Sequence, residues 1–133
     1  MILVDTKVIL DLINDDPEWR TWSISQLSAL GKSQELWINV MIYTKLLPAY
    51  SSEERLKRYL RASPFIRKPL PYSAGGPSAR AFAEYRKKGG VKTAQLPDFF
   101  IGAHAEAEGL TILTRDAKRY RTYFPKVELV CPS

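Results

Sequence analysis

Short apolar runs alternate along this chain with segments of helical character, and this alternation constrains the fold more than any other feature. The β-prone runs lie at residues 2–4, 35–38, 65–70, 110–114 and 127–130. The first of them is apolar throughout and lacks polar alternation, as expected of a central strand that is buried on both faces. Alternating strands and helices are typical of an α/β fold. We therefore predict an α/β fold with a central parallel sheet.

Helix-start and helix-stop signals divide the segments between these strands. A helix is predicted to start near Glu18 and to end at Gly31. Asn39 is predicted to cap a third helix, and Ser52 is the start signal of a fourth. Pro97 suits the first turn of a mostly apolar, buried helix, because its missing N–H costs nothing there. Gly75-Gly76-Pro77 is predicted to precede a further helix.

Size and composition indicate one globular domain over residues 1–133, without repeats or linkers. The chain has 20 Lys and Arg against 14 Asp and Glu, a net charge of +6, which favours RNA or DNA as a partner over a membrane. A single cysteine, Cys131, excludes an internal disulfide and fits a reducing compartment. No apolar run approaches membrane-spanning length, and the apolar start meets Asp5 too soon for a signal peptide. We therefore expect a cytoplasmic location.

Three carboxylates are placed to meet at one edge of the predicted sheet. Asp5 follows the first strand, Asp116 follows the fourth, and Asp98 opens the helix that leads into the fourth. Ligands of such sheets bind at the carboxyl ends of the strands, where strand order reverses. Each carboxylate could instead only cap a helix, but three together favour a joint site for Mg²⁺ or Mn²⁺. A carboxylate-bound dication within a basic surface suits phosphodiester cleavage.

Two further features concern the same region. The basic residues Arg86, Lys87, Lys88 and Lys92 precede the Asp98 helix, so we expect them to contact phosphate groups of RNA rather than bases. The alternative is that this cluster is only a solvated face. Inside the apolar helix stands His104, which has no partner at metal-ligand spacing. We therefore expect a hydrogen-bonded core histidine rather than a catalytic one.

Several stretches together resemble the PIN-domain family, and more closely the VapC-type ribonuclease toxins of prokaryotic toxin–antitoxin modules. They are Val4-Asp5-Thr6, Leu96-Pro97-Asp98-Phe99-Phe100-Ile101-Gly102-Ala103-His104-Ala105, Gly109, Leu113-Thr114-Arg115-Asp116 and Arg119-Tyr120-Arg121-Thr122-Tyr123-Phe124-Pro125. No single stretch is specific, but the ensemble covers almost the whole chain in the family's order. The resemblance implies a three-layer α/β/α sandwich with a central parallel sheet.

The resemblance also implies a chemistry and partners. Asp5, Asp98 and Asp116 would coordinate the metal, and Thr114 would line the same pocket with its hydroxyl. The implied reaction is the Mg²⁺- or Mn²⁺-dependent hydrolysis of single-stranded RNA by a metal-activated water. The implied partners are a cognate antitoxin, the RNA substrate and a second copy of the chain in a homodimer.

Two lysines depart from the family's pattern. Lys7 stands where the family usually has asparagine, and Lys45 stands where it usually has glutamate on the third helix. Four carboxylates would give the site a charge of −4, whereas three carboxylates and Lys45 give −2, and a nearby Lys7 would leave −1. Either lysine could point to solvent, but for Lys45 we expect the site-facing orientation. Metal binding and cleavage are therefore expected to be impaired, and the alternative is a catalytically inactive PIN fold that binds RNA or an antitoxin.

Overall fold

Five parallel strands form a single sheet at the centre of the molecule, with the strand order β3-β2-β1-β4-β5. The computed structural model describes residues 1–92 and 96–133. The strands are β1 (Ile2–Val4), β2 (Leu36–Ile38), β3 (Phe65–Arg67), β4 (Thr111–Leu113) and β5 (Leu129–Val130). Successive side chains of a strand point to opposite faces, and all of β1 is buried, so both faces of the sheet are covered.

Helices follow the strands in the alternation that the sequence predicts. They are α1 (Thr6–Ile13), α2 (Arg20–Gly31), α3 (Val40–Leu46), α4 (Glu53–Ala62), α5 (Gly75–Lys87), α6 (Pro97–Glu108) and α7 (Lys118–Tyr123), with 3₁₀ turns at Leu47–Ala49 and Tyr72–Ala74. Together with the sheet they form the predicted α/β/α sandwich. Among the helices of residues 1–92 and 96–133, none is long and apolar enough to cross a bilayer.

Several element boundaries differ from the prediction: β2, β4 and β5 are each one or two residues shorter, and β3, α2 and α5 differ as follows. The edge strand β3 ends at Arg67 rather than at residue 70, shortly before Pro69, which cannot donate to a strand ladder. Helix α2 begins at Arg20 rather than near Glu18, because the Asp16 carboxylate accepts the N–H groups of Glu18 and Trp19 and holds a capping turn there. Helix α5 includes the two glycines that were predicted to precede it.

A buried polar chain ties α3 to α6, the helices that carry two of the candidate site residues. The Oδ1 atom of Asn39 accepts the N–H groups of Met41 and Ile42, so the residue caps α3 as predicted. Its Nδ2 atom therefore donates to Nδ1 of His104 over 3.0 Å, and Nε2 of His104 carries the proton and donates to Glu108 over 2.8 Å. His104 is fully buried, which confirms the expectation of a hydrogen-bonded core histidine.

Helix α6 packs unusually close to the end of α7. A Cβ atom at Gly102 would come within 2.3 Å of the Phe124 ring, which is itself fully buried. Gly109 ends α6 in the left-handed conformation at φ +66°, where glycine is favoured. These two glycines let the apolar helix lie flat against the core and then turn directly into β4.

Candidate active site

The strand order reverses at β1, and the polar residues that follow β1 and β4 meet there. Val4 is paired with Leu113 in the parallel register, and the Asp5 N–H donates to the Leu113 carbonyl over 2.9 Å. The next residues along each strand therefore face one another, and the Thr114 hydroxyl donates to Oδ2 of Asp5 over 2.8 Å. The structure thus brings together two residues that are 109 positions apart in the sequence, at the edge where ligands of such sheets bind.

Asp5 is the buried centre of this group, with only 6% of its surface exposed. Its Oδ1 atom accepts the Thr6 N–H at the start of α1, so the carboxylate also serves the capping role considered as an alternative. Burial is the largest influence on the Asp5 carboxyl and raises its pKa, since a low-dielectric environment disfavours the charged form. The hydrogen bond from Thr114 and the charge of Lys45 act in the opposite direction.

Tyr120 is a member of this group that the sequence did not single out. Its hydroxyl donates to Oδ2 of Asp5 over 3.2 Å from within the core. Burial raises the pKa of the Tyr120 phenol well above its usual value, and the nearby Asp5 and Asp98 charges raise it further, so the hydroxyl stays protonated as a donor. The available signal was an i, i+4 pair of large aromatic residues, Tyr120 and Phe124, in an otherwise basic segment.

Lys45 faces the site from α3, as expected. Its Nζ atom lies 3.1 Å from Oδ1 of Asp98, and both side chains are 34% exposed. The positive charge of Lys45 also lowers the pKa of Asp5, whereas the negative charge of Asp98 raises it, so all three residues belong to one electrostatic group. Lys7, by contrast, is exposed and forms no ion pair with the rest of the described chain.

Asp116 lies at the outer side of this group. Its backbone N–H donates to the Thr114 hydroxyl oxygen over 3.1 Å, which fixes the start of the loop between β4 and α7. Its side chain is exposed, yet its charge contributes to the raised pKa of Tyr120. The roles of Asp5, Asp98, Asp116 and Thr114 in catalysis or metal binding stay predictions.

With Lys45 paired to Asp98, this arrangement does not fit a bound divalent metal. Both Asp5 oxygens accept hydrogen bonds, and the Asp98 oxygen that faces the site accepts one from the Lys45 ammonium. In the two described ranges, no three His, Cys, Asp or Glu side chains come close enough together to hold a metal ion. The Lys45 ammonium therefore supplies a positive charge beside the carboxylates that were predicted to bind a metal ion.

A second ion pair, between Arg115 and the buried Asp11, holds the loop that carries Thr114 and Asp116. Arg115 donates to Oδ1 of Asp11 over 2.9 Å, and Ser23 donates to Oδ2 of the same carboxylate over 2.6 Å. Asp11 is almost fully buried, and the Arg115 guanidinium stacks 5.0 Å from the centre of the Trp19 ring. The loop after β4 is thereby fixed to α1 and α2. Nothing in the sequence pattern distinguishes Asp11 from a surface carboxylate.

Solved structures with the same fold come from toxin–antitoxin complexes. VapBC2 of Rickettsia felis bound to a promoter DNA fragment matches with a TM-score of 0.77 at 20% identity, over 100% of both chains. FitAcB of Neisseria gonorrhoeae matches with a TM-score of 0.70 at 20% identity, over 97% of this chain and 96% of the other. A toxin–antitoxin complex of Klebsiella pneumoniae matches with a TM-score of 0.68 at 21% identity, over 100% and 98%.

The sequence comparisons assign the family. No curated protein matches this chain in sequence. The family model of the PIN domain matches residues 2–125, which include the candidate site and every strand except β5. The matched solved structures share the fold of this chain, which agrees with this match. The chain therefore belongs to the PIN-domain family.

Proposed function

We propose that this chain is a toxin-type PIN protein built to cleave single-stranded RNA, and that its own Lys45 attenuates the cleavage site. PIN-domain proteins are typically nucleases that generally use a divalent metal. The single observation behind the attenuation is the Lys45 ammonium, 3.1 Å from Asp98. An ammonium at this position neutralises the carboxylate that would otherwise attract a metal ion, and it repels any dication that approaches.

Mg²⁺ or Mn²⁺ remains the cofactor class that suits such a site once the ammonium is removed. Asp5, Asp98 and Asp116 carry the hard oxygen ligands that these ions prefer, and the three side chains would have to move closer together to hold one ion. A bound ion of this kind supplies an activated water and stabilises charge on a phosphodiester. Lys45 is one-third exposed on a flexible stem, so a high concentration of metal should be able to displace it.

RNA is the proposed substrate because the end of α5 is basic, and Lys88 there lies over the ring of Tyr123, which shares a pocket with Asp116. Arg86, Lys87, Lys88 and Lys92 are all exposed, and the Arg86 guanidinium donates to the Lys92 carbonyl over 2.7 Å. This contact holds the end of the cluster close to α5. We propose that these residues bind backbone phosphates, which contributes affinity without sequence preference.

An antitoxin is the proposed protein partner. An apolar groove of about 380 Å³ lies between α2 and α4. Its lining is mostly apolar and comprises Leu12, Ile24, Leu27, Ser28, Leu36, Tyr59, Ala62, Ser63, Pro64 and Phe65. A groove of this composition suits the apolar face of an amphipathic helix. The similar solved structures come from complexes with an antitoxin, which supports the same partner for this chain. The homodimer stays a prediction.

The ion pair between Lys45 and Asp98 also favours a second candidate function, a catalytically inactive PIN fold that binds RNA or an antitoxin. An internal cation can hold the carboxylate group together without any cofactor. The two candidates share the fold, the groove and the basic cluster. They differ only in whether any cleavage takes place.

Incubation of the purified protein with a labelled RNA pool separates these candidates. At high Mn²⁺ concentration we expect slow cleavage that a chelator abolishes, because the metal must displace Lys45 before the site works. Asp116→Asn is the matched control for a contaminating nuclease, since it removes a proposed ligand that is exposed and unimportant for the core. Cleavage that persists in Asp116→Asn would come from a contaminating nuclease. In that case, or if no cleavage occurs at any Mn²⁺ concentration, the binding function describes this chain better.

A further inference from the structure

An open pocket beside Asp116 is not explained by the fold or by the carboxylate group. It has a volume of about 320 Å³ and lies between α5 and α7. Its lining is Tyr85, Asp116, Lys118, Arg119, Thr122 and Tyr123. Two aromatic rings, two cations and one carboxylate therefore face the same space, directly next to a candidate site residue.

The two aromatic rings of this pocket, Tyr85 and Tyr123, pack against a buried third ring, that of Phe99. The Phe99 ring is fully buried, and its centroid lies 5.6 Å from that of Tyr85 and 5.2 Å from that of Tyr123, with edge-to-face geometry in both pairs. Tyr85 and Tyr123 are themselves only half-buried and lie 6.4 Å apart. The backbone at Gly90 packs on the Tyr85 ring, whereas the exposed surface of Tyr123 forms a preorganised platform, because Phe99 restricts the movement of its ring.

Cations already lie over these rings. The Lys88 ammonium is 5.2 Å from the centroid of Tyr123, and the Arg119 guanidinium is 6.0 Å from that of Tyr85. Neither side chain, nor that of Lys118, forms an ion pair with a carboxylate in the part of the chain that the structure describes. The positive charges at the pocket are thus available to an anion that arrives from solution.

We propose that this pocket binds one unpaired nucleotide of single-stranded RNA. The base stacks against Tyr123, and its neighbouring phosphates contact Lys118 and Arg119. Asp116 accepts a hydrogen bond from the ribose 2′-hydroxyl, so its charge does not oppose binding. Paired bases are excluded because they are already stacked within a duplex. This inference rests on the proposed RNA-directed function and adds a subsite to it.

Binding can be measured apart from cleavage by working in a chelator. The probe is a fluorescein-labelled octauridylate, followed by fluorescence anisotropy. Tyr123→Leu removes the ring but keeps an apolar contact with Phe99, and we expect it to weaken binding about tenfold, because the base loses the aromatic surface on which it stacks. Tyr123→Phe keeps the ring and should bind as the unaltered chain does. Tyr72→Leu removes a fully exposed tyrosine outside the pocket and is the matched control.

Salt dependence distinguishes the stacking contact from the phosphate contacts. Lys118→Ala and Arg119→Ala should each reduce the slope of log affinity against log salt by about 0.7, because each removes one phosphate contact with a single strand. Tyr123→Leu should leave that slope unchanged. Lys32→Ala removes an exposed lysine at the end of α2 and should change neither affinity nor slope.

The unaltered chain provides a test that does not depend on any variant. An octamer carrying 2-aminopurine should lose fluorescence on binding, because a base stacked on an aromatic ring is quenched. Unquenched 2-aminopurine in a bound octamer, or Tyr123→Leu binding as tightly as the unaltered chain, would overturn the pocket while leaving the cleavage test untouched. Equal affinity for oligodeoxyuridylate would overturn the contact between Asp116 and the ribose. Failure of every form to bind any single strand would overturn the proposed function as well.

Discussion

Replacing Lys45 by glutamate should make this chain a much faster metal-dependent ribonuclease. The substitution removes the ammonium that lies 3.1 Å from Asp98 and changes the local charge by two units. Two unit charges about 4 Å apart interact by about 4 kcal/mol at an effective dielectric constant of about 20, and a dication doubles this. Solvent screens a pair that is one-third exposed, so we expect a gain of roughly 100-fold in cleavage rate at low Mn²⁺ concentration rather than the unscreened value.

The order of the variants tests this electrostatic explanation. Lys7 is exposed, so Lys7→Asn alone should change the rate little. The double variant should cleave fastest, Lys45→Glu next, and the unaltered chain slowest. Lys45→Gln should fall between lysine and glutamate, and Lys32→Glu controls for a charge reversal elsewhere on the surface. If the unaltered chain already cleaves as fast as the double variant, Lys45 has no inhibitory role.

Replacing Arg115 by alanine should cause a large loss of stability. The substitution leaves the Asp11 carboxylate almost fully buried with the Ser23 hydroxyl as its remaining side-chain donor. Breaking a buried ion pair in this way typically costs about 3–5 kcal/mol. Because Arg115 itself is 20% exposed, we expect about 3 kcal/mol, or roughly 10 °C in melting temperature for a domain of this size.

Two further variants test whether the loss comes from the buried charge of Asp11. Arg20→Ala breaks an exposed pair with Asp15 and should cost less than about 1 kcal/mol. In the double variant Asp11→Leu/Arg115→Met, apolar side chains replace both partners, and most of the stability should return, since no charge is then left buried. Urea unfolding of the three proteins measures the free energies directly. A cost for Arg115→Ala no greater than that for Arg20→Ala would mean that the pair does not hold the loop.

The sequence was sufficient for those parts of the fold that depend on local patterns. Buried parallel strands read as apolar runs, so β1 and β4 were predicted correctly, and with them the position of Asp5 at the reversal of strand order. Thr114 was expected beside it only from the family resemblance, and its hydroxyl does contact Asp5. Asn39 was predicted as a cap because its side chain competes locally for backbone N–H groups. The orientation of Lys45 came from the family resemblance, and the structure agrees with it.

Contacts between distant elements were not predictable in the same way. Tyr120 reaches Asp5 only because α7 folds back beside β1, and no local pattern encodes that approach. The two hydrogen-bond partners of His104, Asn39 and Glu108, were likewise not predictable, although burial of the ring required partners. Asp11 lies on the amphipathic helix α1. It is buried because α2 and the loop that carries Arg115 pack over it, and this packing is not visible in the local sequence.

The most direct measurement of whether Lys45 holds the cation position is a calorimetric titration of Mn²⁺ into the unaltered chain and into Lys45→Glu, at constant ionic strength and without RNA. Lys45→Glu should give the heat of one binding site, with an affinity at least about tenfold higher than that of the unaltered chain. Lys45→Gln should be intermediate, because it removes the positive charge without adding a ligand of full negative charge. Mn²⁺ binding to the unaltered chain as tight as to Lys45→Glu would contradict this account of the site.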